Sequence, residues 1–188
     1  EVGCEYNGSA EIKNLTISDS QFEATGAGLG GDSGGKYAMA GTFMAKTGGY
    51  CNFSDCHVVN CTVKSAKYGG GFIGYDSCGN AYTLTDCSVT NTSVASTVGE
   101  ASASMGGFLG YTQTPHTLTD CSVNGNTMTG KYAGAYYGTY NMFDDKPCTF
   151  NKCTVTGNVL TINNFCGRNY GDKSIIVDGN EQTVTENP

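Results

Sequence analysis

Apolar and polar residues alternate in short runs along the whole chain, and the alternation changes phase at regular points. In LTDCSVTNTSV, which begins at Leu84, one phase ends at Asp86 and the opposite phase begins at Cys87; the phase changes again at Asn91. Side chains on a strand point alternately to its two faces, so each change of phase marks a bend. Asp and Asn suit such bends because their side chains bond to nearby backbone. The pattern predicts short strands separated by an Asp corner and an Asn corner.

The same unit recurs every 31–36 residues. The stretch TLTDCSV occurs unchanged at 83–89 and 117–123, and its cysteine aligns four copies. The aligned cysteines are Cys56, Cys87, Cys121 and Cys153. A further copy, ISDSQF, precedes them with Ser20 in the cysteine position. This periodicity predicts a repeat architecture.

A glycine motif runs in phase with the cysteine motif. It is GGFIG from Gly70 and GGFLG from Gly106, with weaker copies from Gly41, Gly134 and Gly167. Because two separate motifs share one period, the whole chain is built from this repeat, rather than containing one local duplication.

A single coil of this kind cannot bury its own Leu, Cys, Val and Phe residues, whereas coils stacked about 4.8 Å apart cover one another. We therefore predict an all-β fold, a right-handed parallel β-helix (β-solenoid) of about five coils. An up-and-down barrel and a propeller are the alternatives, but strands of about three residues between corners favour a solenoid. We expect one domain over 1–188, with a repeat core at about 15–171 and a terminal segment at 172–188.

The phased GGFIG and GGFLG motifs, each followed by TDCSV, resemble the GLUG-type repeats of bacterial surface proteins. The resemblance covers roughly 15–170. It implies an extracellular, cell-wall or adhesin-associated module of a larger protein, and it implies no catalytic residues.

Composition and charge narrow the function. The net charge is −7 and Arg168 is the single arginine, so the chain lacks the clustered basic residues that nucleic-acid binding needs. No apolar run approaches the ~20 residues of a membrane-spanning helix, so no membrane insertion is expected. Ten cysteines and a start at Glu1 lead us to expect part of a larger, exported bacterial protein, at the cell surface or outside the cell, with neighbouring domains as partners.

The cysteine row is the first candidate for chemistry. In register, Cys56, Cys87, Cys121 and Cys153 stack inside the helix, with Ser20 beneath them. Metal binding or a redox relay is one interpretation, but the spacing does not match zinc sites. Free Cys also packs as a small buried hydrophobe, which we favour. Disulfides within the row stay open, and bridges are more plausible for the cysteines outside it, at positions 4, 51, 61, 78, 148 and 166.

An aspartate row accompanies the cysteines. Its members are Asp19, Asp55, Asp86 and Asp120, followed by Lys152. A cation site is one interpretation, but no calcium-loop pattern is present. We expect corner residues that accept backbone hydrogen bonds, and we expect no metal and no cofactor.

Two other function classes need weighing. Polysaccharide lyases and glycosidases occur on β-helices, but their catalysis needs a paired acid and base. The sequence has no such pair of carboxylates outside the aspartate row. We therefore expect no catalytic residues and no enzyme. Ice binding needs unbroken threonine rows. The rows of Thr83 and Thr85 and of Thr117 and Thr119 are broken, because the corresponding positions are Asn52 and Ser54 in one copy and Thr149 and Asn151 in another. A carbohydrate-active enzyme and then ice binding remain the alternatives.

Insertions mark the predicted binding face. The copies differ in length at one point, where 24–39 and 95–105 carry additional residues. Insertions at one corner of a solenoid emerge on one face, which often binds ligands. Tyr37, Tyr68 and Tyr132 lie nearby and could stack against sugar or peptide. We therefore expect a non-catalytic adhesin-like module, a stalk that binds host glycan or protein through this loop face, although the loops could equally bind nothing.

Overall fold

The computed structural model describes residues 9–24, 38–47, 50–76, 81–97, 103–141, 146–160, 166–169 and 174–183. The secondary structure of these residues consists of parallel strands and one antiparallel pair near the C-terminus. No helix among them is long and apolar enough to cross a membrane. The predicted all-β parallel β-solenoid is confirmed.

Four sheets run along the stack, and the strands are numbered in chain order. Sheet A contains β1 (Ser9–Ser18), β5 (Tyr50–Val59), β9 (Tyr82–Thr85), β10 (Ser88–Thr90), β14 (His116–Thr119), β15 (Ser122–Asn124), β19 (Cys148–Asn151), β20 (Thr154–Thr156), β23 (Ser174–Val177) and β24 (Asn180–Thr183). Sheet B contains β2 (Gln21–Ala24), β6 (Thr62–Ser65), β11 (Ser93–Ser96), β16 (Thr127–Thr129) and β21 (Val159–Leu160).

Sheets C and D complete each coil. Sheet C contains β3 (Met39–Gly41), β7 (Tyr68–Gly70), β12 (Ser104–Gly106) and β17 (Tyr132–Gly134). Sheet D contains β4 (Met44–Thr47), β8 (Ile73–Asp76), β13 (Leu109–Thr112), β18 (Tyr137–Tyr140) and β22 (Cys166–Asn169). About three turns of the solenoid are present, against the predicted five. The strand sets β1–β4 and β19–β22 lie towards the two ends of the stack.

The corners of sheet A are held by residues with left-handed backbone. At the first corner these are Asn14, Asp55, Asp86, Asp120 and Lys152, with φ of 51° to 54°. At the second corner, five residues further along, they are Asp19, Asn60, Asn91, Gly125 and Gly157. Asn, Asp and Gly adopt this conformation at least cost, which explains why the sequence places them there.

The predicted register of the first coil is wrong by five residues. Leu15, not Ser20, pairs with Cys56, and Ser20 lies beside Cys61 because Gln21 pairs with Thr62. Asp19 likewise belongs to the second corner and not to the aspartate row. The error arises because both corners require the same backbone conformation and accept the same residue types.

The glycine motif allows sheets C and D to pack backbone against backbone. A Cβ atom on Gly110 would lie 2.6 Å from the amide nitrogen of Gly69 and 2.6 Å from the carbonyl oxygen of Gly74. The predicted start of the last glycine motif at Gly167 is wrong. Gly167 lies beside Gly138, so it is the closing glycine of its coil and not the opening one.

The core lies between the sheets and is rich in aromatic rings. Phe72 and Phe108 have ring centroids 4.8 Å apart, Phe108 and Tyr136 are 5.4 Å apart, and Tyr136 meets Phe150 at 5.0 Å. All four are fully buried. These ring contacts fill the interior, while the parallel strand pairing between coils sets the spacing of residues on the outer face.

Candidate functional site

Two rows of side chains run side by side where sheets C and D meet. Register pairs Tyr68 with Ser104 and Ser104 with Tyr132 along sheet C. Along sheet D, the row consists of Lys46, Tyr75, Tyr111, Thr139 and Arg168. The residues of this second row directly follow the closing glycine in four of the five copies of the motif, and Lys46 follows Ala45 in the first. Glycine packing of the two sheets brings the rows within contact distance.

One end of the paired rows is an aromatic wall. The rings of Tyr75 and Tyr111 stack with centroids 5.1 Å apart and an interplanar angle of 18°. Tyr68 packs against both, at 5.1 Å from Tyr75 and 4.9 Å from Tyr111. Three rings that hold one another in this way lose little conformational freedom when a ligand binds.

A second wall stands further along the stack. The guanidinium carbon of Arg168 lies 4.7 Å from the centroid of the Tyr132 ring, and Nη1 of Arg168 donates a hydrogen bond of 3.1 Å to the Tyr132 hydroxyl. The ammonium of Lys131 lies 5.2 Å from the same ring. This wall therefore combines an aromatic face with positive charge.

Small polar residues form the floor between the walls. The hydroxyls of Ser104 and Thr139 are 2.7 Å apart and buried. Because these two side chains are short, a cavity of about 100 Å³ remains above them. We call this cavity the tyrosine cleft, and it is lined by Lys67, Tyr68, Ser104, Tyr111, Tyr132, Thr139 and Arg168. Its lining combines three tyrosine rings with two hydroxyl groups and two cationic side chains.

The structure brings two of the three predicted tyrosines together. Tyr68 and Tyr132 both line the tyrosine cleft, whereas Tyr37 lies outside the described residues. The residue of the first coil that pairs with Tyr68 is Met39. Sequence reasoning missed Tyr111 and Arg168, although alignment of the residues after each closing glycine would have placed them in one row.

Both insertions leave the solenoid at the same corner. One joins β2 to β3 and the other joins β11 to β12, so both connect sheet B to sheet C. The strands that follow them begin at the row of Tyr68, Ser104 and Tyr132. The inserted residues 25–37 and 98–102 lie outside the described part of the chain.

The cysteine row has a structural explanation. Cys56, Cys87 and Cys121 are buried, Cys153 is half-buried, and all four follow a first-corner residue. Each thiol donates to the carbonyl oxygen two residues earlier, at 3.3 to 3.4 Å. At the second corner, Cys61 and Thr92 make the same bond through a thiol and a hydroxyl. The carbonyl groups of Val59, Thr90, Thr119 and Asn151 also accept a backbone N–H from a corner residue of an adjacent coil, so the side chain is a second donor there.

The cysteines outside the row differ from expectation. Cys51, Cys61, Cys148 and Cys166 are buried and form no disulfide. The remaining two, Cys4 and Cys78, lie outside the described residues. Within the described chain, no group of three or more His, Cys, Asp or Glu side chains could hold a metal ion.

The aspartates Asp55, Asp86 and Asp120 are exposed and lie at the first corner. Asp55 accepts a hydrogen bond from Nε2 of His57 at 2.9 Å, and Nδ1 of His57 lies 2.8 Å from the Ser88 hydroxyl. These contacts lie on the surface of sheet A, away from the tyrosine cleft.

A buried polar cluster inside the coils has the residue types of a cysteine hydrolase. Thr112 lies 3.0 Å from a carboxylate oxygen of Asp76 and 2.8 Å from Nε2 of His116. The backbone N–H of His116 donates to the Cys148 sulfur at 3.2 Å. Burial raises the pKa of Cys148 to about 11, so its thiol is protonated at neutral pH. All four residues are at most 1% exposed, which keeps substrate away from them.

The outward threonines of sheet A do stack in register. Thr83 pairs with Thr117, and Thr117 pairs with Thr149. The parallel row of Thr85 and Thr119 ends in Asn151. The first coil places Glu11 and Lys13 in these rows, and they form an ion pair of 2.6 Å. Charged side chains therefore interrupt the surface.

Comparisons with models of known protein families, with curated proteins and with solved structures found no match. The resemblance to GLUG-type repeats therefore stays a prediction. The tyrosine cleft remains the feature from which function can be argued.

Proposed function

We propose that this chain is a non-catalytic surface module of a larger exported bacterial protein, and that it binds a glycan in the tyrosine cleft. The observation that carries the proposal is the pair of aromatic walls, Tyr111 with Tyr68 and Tyr132 with Arg168, on either side of a hydroxyl-lined floor. Sugar rings present C–H faces that pack on aromatic rings and hydroxyl edges that bond to Ser and Thr.

The dimensions of the cleft support one sugar residue as the unit of recognition. Tyr68 and Tyr132 lie two strand spacings apart, which is roughly 9.6 Å. Ser104, between them, supplies a hydroxyl at the midpoint. A peptide would need a longer apolar groove or an exposed strand edge for its backbone, so the cleft favours glycan over protein as the ligand.

The lining also supports binding without catalysis. Among the described residues, the cleft contains no carboxylate and no histidine, which are the usual general acids and bases of glycoside cleavage. A solenoid core of stacked rings suits a stalk that holds the cleft away from a cell surface. The strands that follow the two insertions, β3 and β12, begin at the row of Tyr68 and Ser104, and we propose that the insertions contribute to binding.

A glycan array tests the proposal. Wild-type protein is compared with Tyr111→Ser and Tyr132→Ser, and with Tyr50→Ser as the matched control, because Tyr50 is 40% exposed on sheet A. We expect the two cleft variants to lose binding and the control to keep it. Absence of binding to any glycan, or equal loss in the Tyr50→Ser control, would contradict the proposal. Release of reducing or unsaturated sugar from a bound glycan would contradict a non-catalytic role.

A further inference from the structure

The distribution of positive charge on this acidic protein is uneven. The chain has 17 acidic and 10 basic residues, yet four of the ten basic residues lie at the rows around the cleft. They are Lys46, Lys67, Lys131 and Arg168. Lys67 and Arg168 line the cleft itself, and among the described residues no Asp or Glu does so. Such a site concentrates anions locally against the charge of the whole molecule.

Arg168 is oriented by its neighbours. Its ring contact of 4.7 Å and its hydrogen bond of 3.1 Å to Tyr132 fix the guanidinium plane at the edge of the cleft. A guanidinium held in one plane matches the planar, two-oxygen geometry of a carboxylate, and it also bonds sulfate well. Arginine of this kind binds anions with little loss of side-chain entropy.

Lys67 places a second cation at the opposite wall. Its ammonium lies 5.7 Å from the centroid of the Tyr68 ring, and its side chain is half-buried. Lys64, three residues earlier, is exposed on sheet B and does not line the cleft. An anion in the cleft would therefore lie between two cations, with Ser104 and Thr139 beneath it.

From this arrangement we propose that the tyrosine cleft is selective for an acidic sugar residue, whose carboxylate or sulfate group is held by Arg168 and Lys67 while its ring packs between the tyrosine walls. This proposal rests on the proposed glycan-binding function and adds the class of ligand. The two walls distinguish a sugar-borne anion from a free anion, which would gain nothing from the rings.

Matched neutral and acidic probes test the selectivity by calorimetric titration. The probes are lactose, 3′-sialyllactose, the methyl ester of 3′-sialyllactose, 3′-sulfolactose, and oligogalacturonate with and without methyl esterification. We expect at least one acidic probe to bind about tenfold or more tightly than its uncharged partner, because a charged hydrogen bond is lost in that partner. The carboxylated and sulfated probes identify which anion is preferred.

Variants connect the selectivity to the cleft. Arg168→Gln should lower the affinity for the preferred acidic probe to that of its uncharged partner. Arg168→Lys should give an intermediate affinity. The Lys64→Gln control should bind the acidic probe as tightly as the wild type does. Equal binding of neutral and acidic probes would overturn the selectivity and leave glycan binding intact. Failure of every glycan to bind, on the array as well, would overturn both. Equal loss of affinity in Lys64→Gln and Arg168→Gln would also overturn the selectivity, since it would indicate a general charge effect.

Discussion

Arg168 packs on the ring of Tyr132 and donates a hydrogen bond to its hydroxyl across 36 positions of the chain. The pair joins β22, in the last coil, to β17 in the coil before it. It therefore stabilises the end of the stack as well as one wall of the tyrosine cleft.

This pair should show energetic coupling. We expect Arg168→Ala to cost about 1–2 kcal/mol of unfolding free energy and Tyr132→Phe about 1 kcal/mol, because the first loses the ring contact and the hydrogen bond while the second loses only the bond. Urea unfolding of both single variants and the double variant measures the coupling. Strictly additive losses would show that the two side chains do not interact in solution.

Close packing of sheets C and D predicts a severe effect of one methyl group. Gly110→Ala should destabilise the protein by about 3 kcal/mol or more, because its Cβ would meet backbone atoms of Gly69 and Gly74 that cannot move aside. Gly157→Asn is the matched control. A Cβ atom on Gly157 would lie 3.8 Å from its nearest neighbouring atom, so it has room. The φ of Gly157 is 62°, and other coils carry Asn at this corner. We expect the control to stay within about 0.5 kcal/mol of wild type in urea unfolding. Equal stabilities of the two variants would contradict the glycine packing.

The left-handed corners predict a residue-specific response at Asp86. With φ of 54°, Asp86→Ala should cost about 1–2 kcal/mol, whereas Asp86→Asn should be nearly neutral because Asn adopts this backbone readily. Thermal unfolding of the two variants gives the comparison. If Asn and Ala were equally destabilising, the carboxylate and not the backbone would explain the aspartate row.

Within the cysteine row, we expect the alkylation rate of Cys153 to depend on pH in the neutral range. The Cys121 thiol lowers the pKa of Cys153 to about 7, because it can turn from the Thr119 carbonyl and donate its one hydrogen to the Cys153 thiolate when that forms; the same contact raises the pKa of Cys121. A lowered pKa means that the Cys153 thiolate forms as pH rises through 7. We therefore expect its alkylation rate to rise between pH 6 and pH 8 and then to level off, by about pH 8.

Pulse labelling with iodoacetamide and peptide mass spectrometry follows each cysteine separately. Cys148, which is fully buried with a pKa of about 11, should stay unmodified over the same range. The Cys121→Ala variant removes the donor, so its Cys153 should react as an ordinary thiol does. A Cys153 rate that keeps rising beyond pH 9 in the wild type would refute the effect of the Cys121 bond.

Much of the fold could be predicted from the sequence because its corners have a distinct chemistry. The Asp-Cys pair marks the first corner in three coils and Lys152-Cys153 marks it in a fourth, so the register of Cys56, Cys87, Cys121 and Cys153 follows directly. The first coil has Asn14 and Leu15 at that corner and an Asp-Ser pair at the second. Since both corners accept Asp, Asn and Gly, residue type alone could not separate them.

The candidate cleft was only partly predictable. Tyr68 and Tyr132 follow lysine in two similar stretches, so the sequence draws attention to them. Tyr111, Thr139 and Arg168 have no residue type in common. Each follows a closing glycine, but Gly167 resembles an opening glycine in the sequence, so the pairing of β18 with β22 is needed to place Arg168 in the row. The row on sheet C lies within contact distance of the row on sheet D because the two sheets pack through their glycines. A single copy of the repeat does not reveal this packing.

Amide chemical-shift mapping by NMR, with the glycan that binds most tightly on the array, tests the central claim most directly. The account predicts that the largest shifts fall at the lining of the tyrosine cleft, at Tyr68, Ser104, Tyr111, Tyr132, Thr139 and Arg168, while the outer face of sheet A is unchanged. Shifts confined to sheet A or sheet B would contradict the assignment of the binding site.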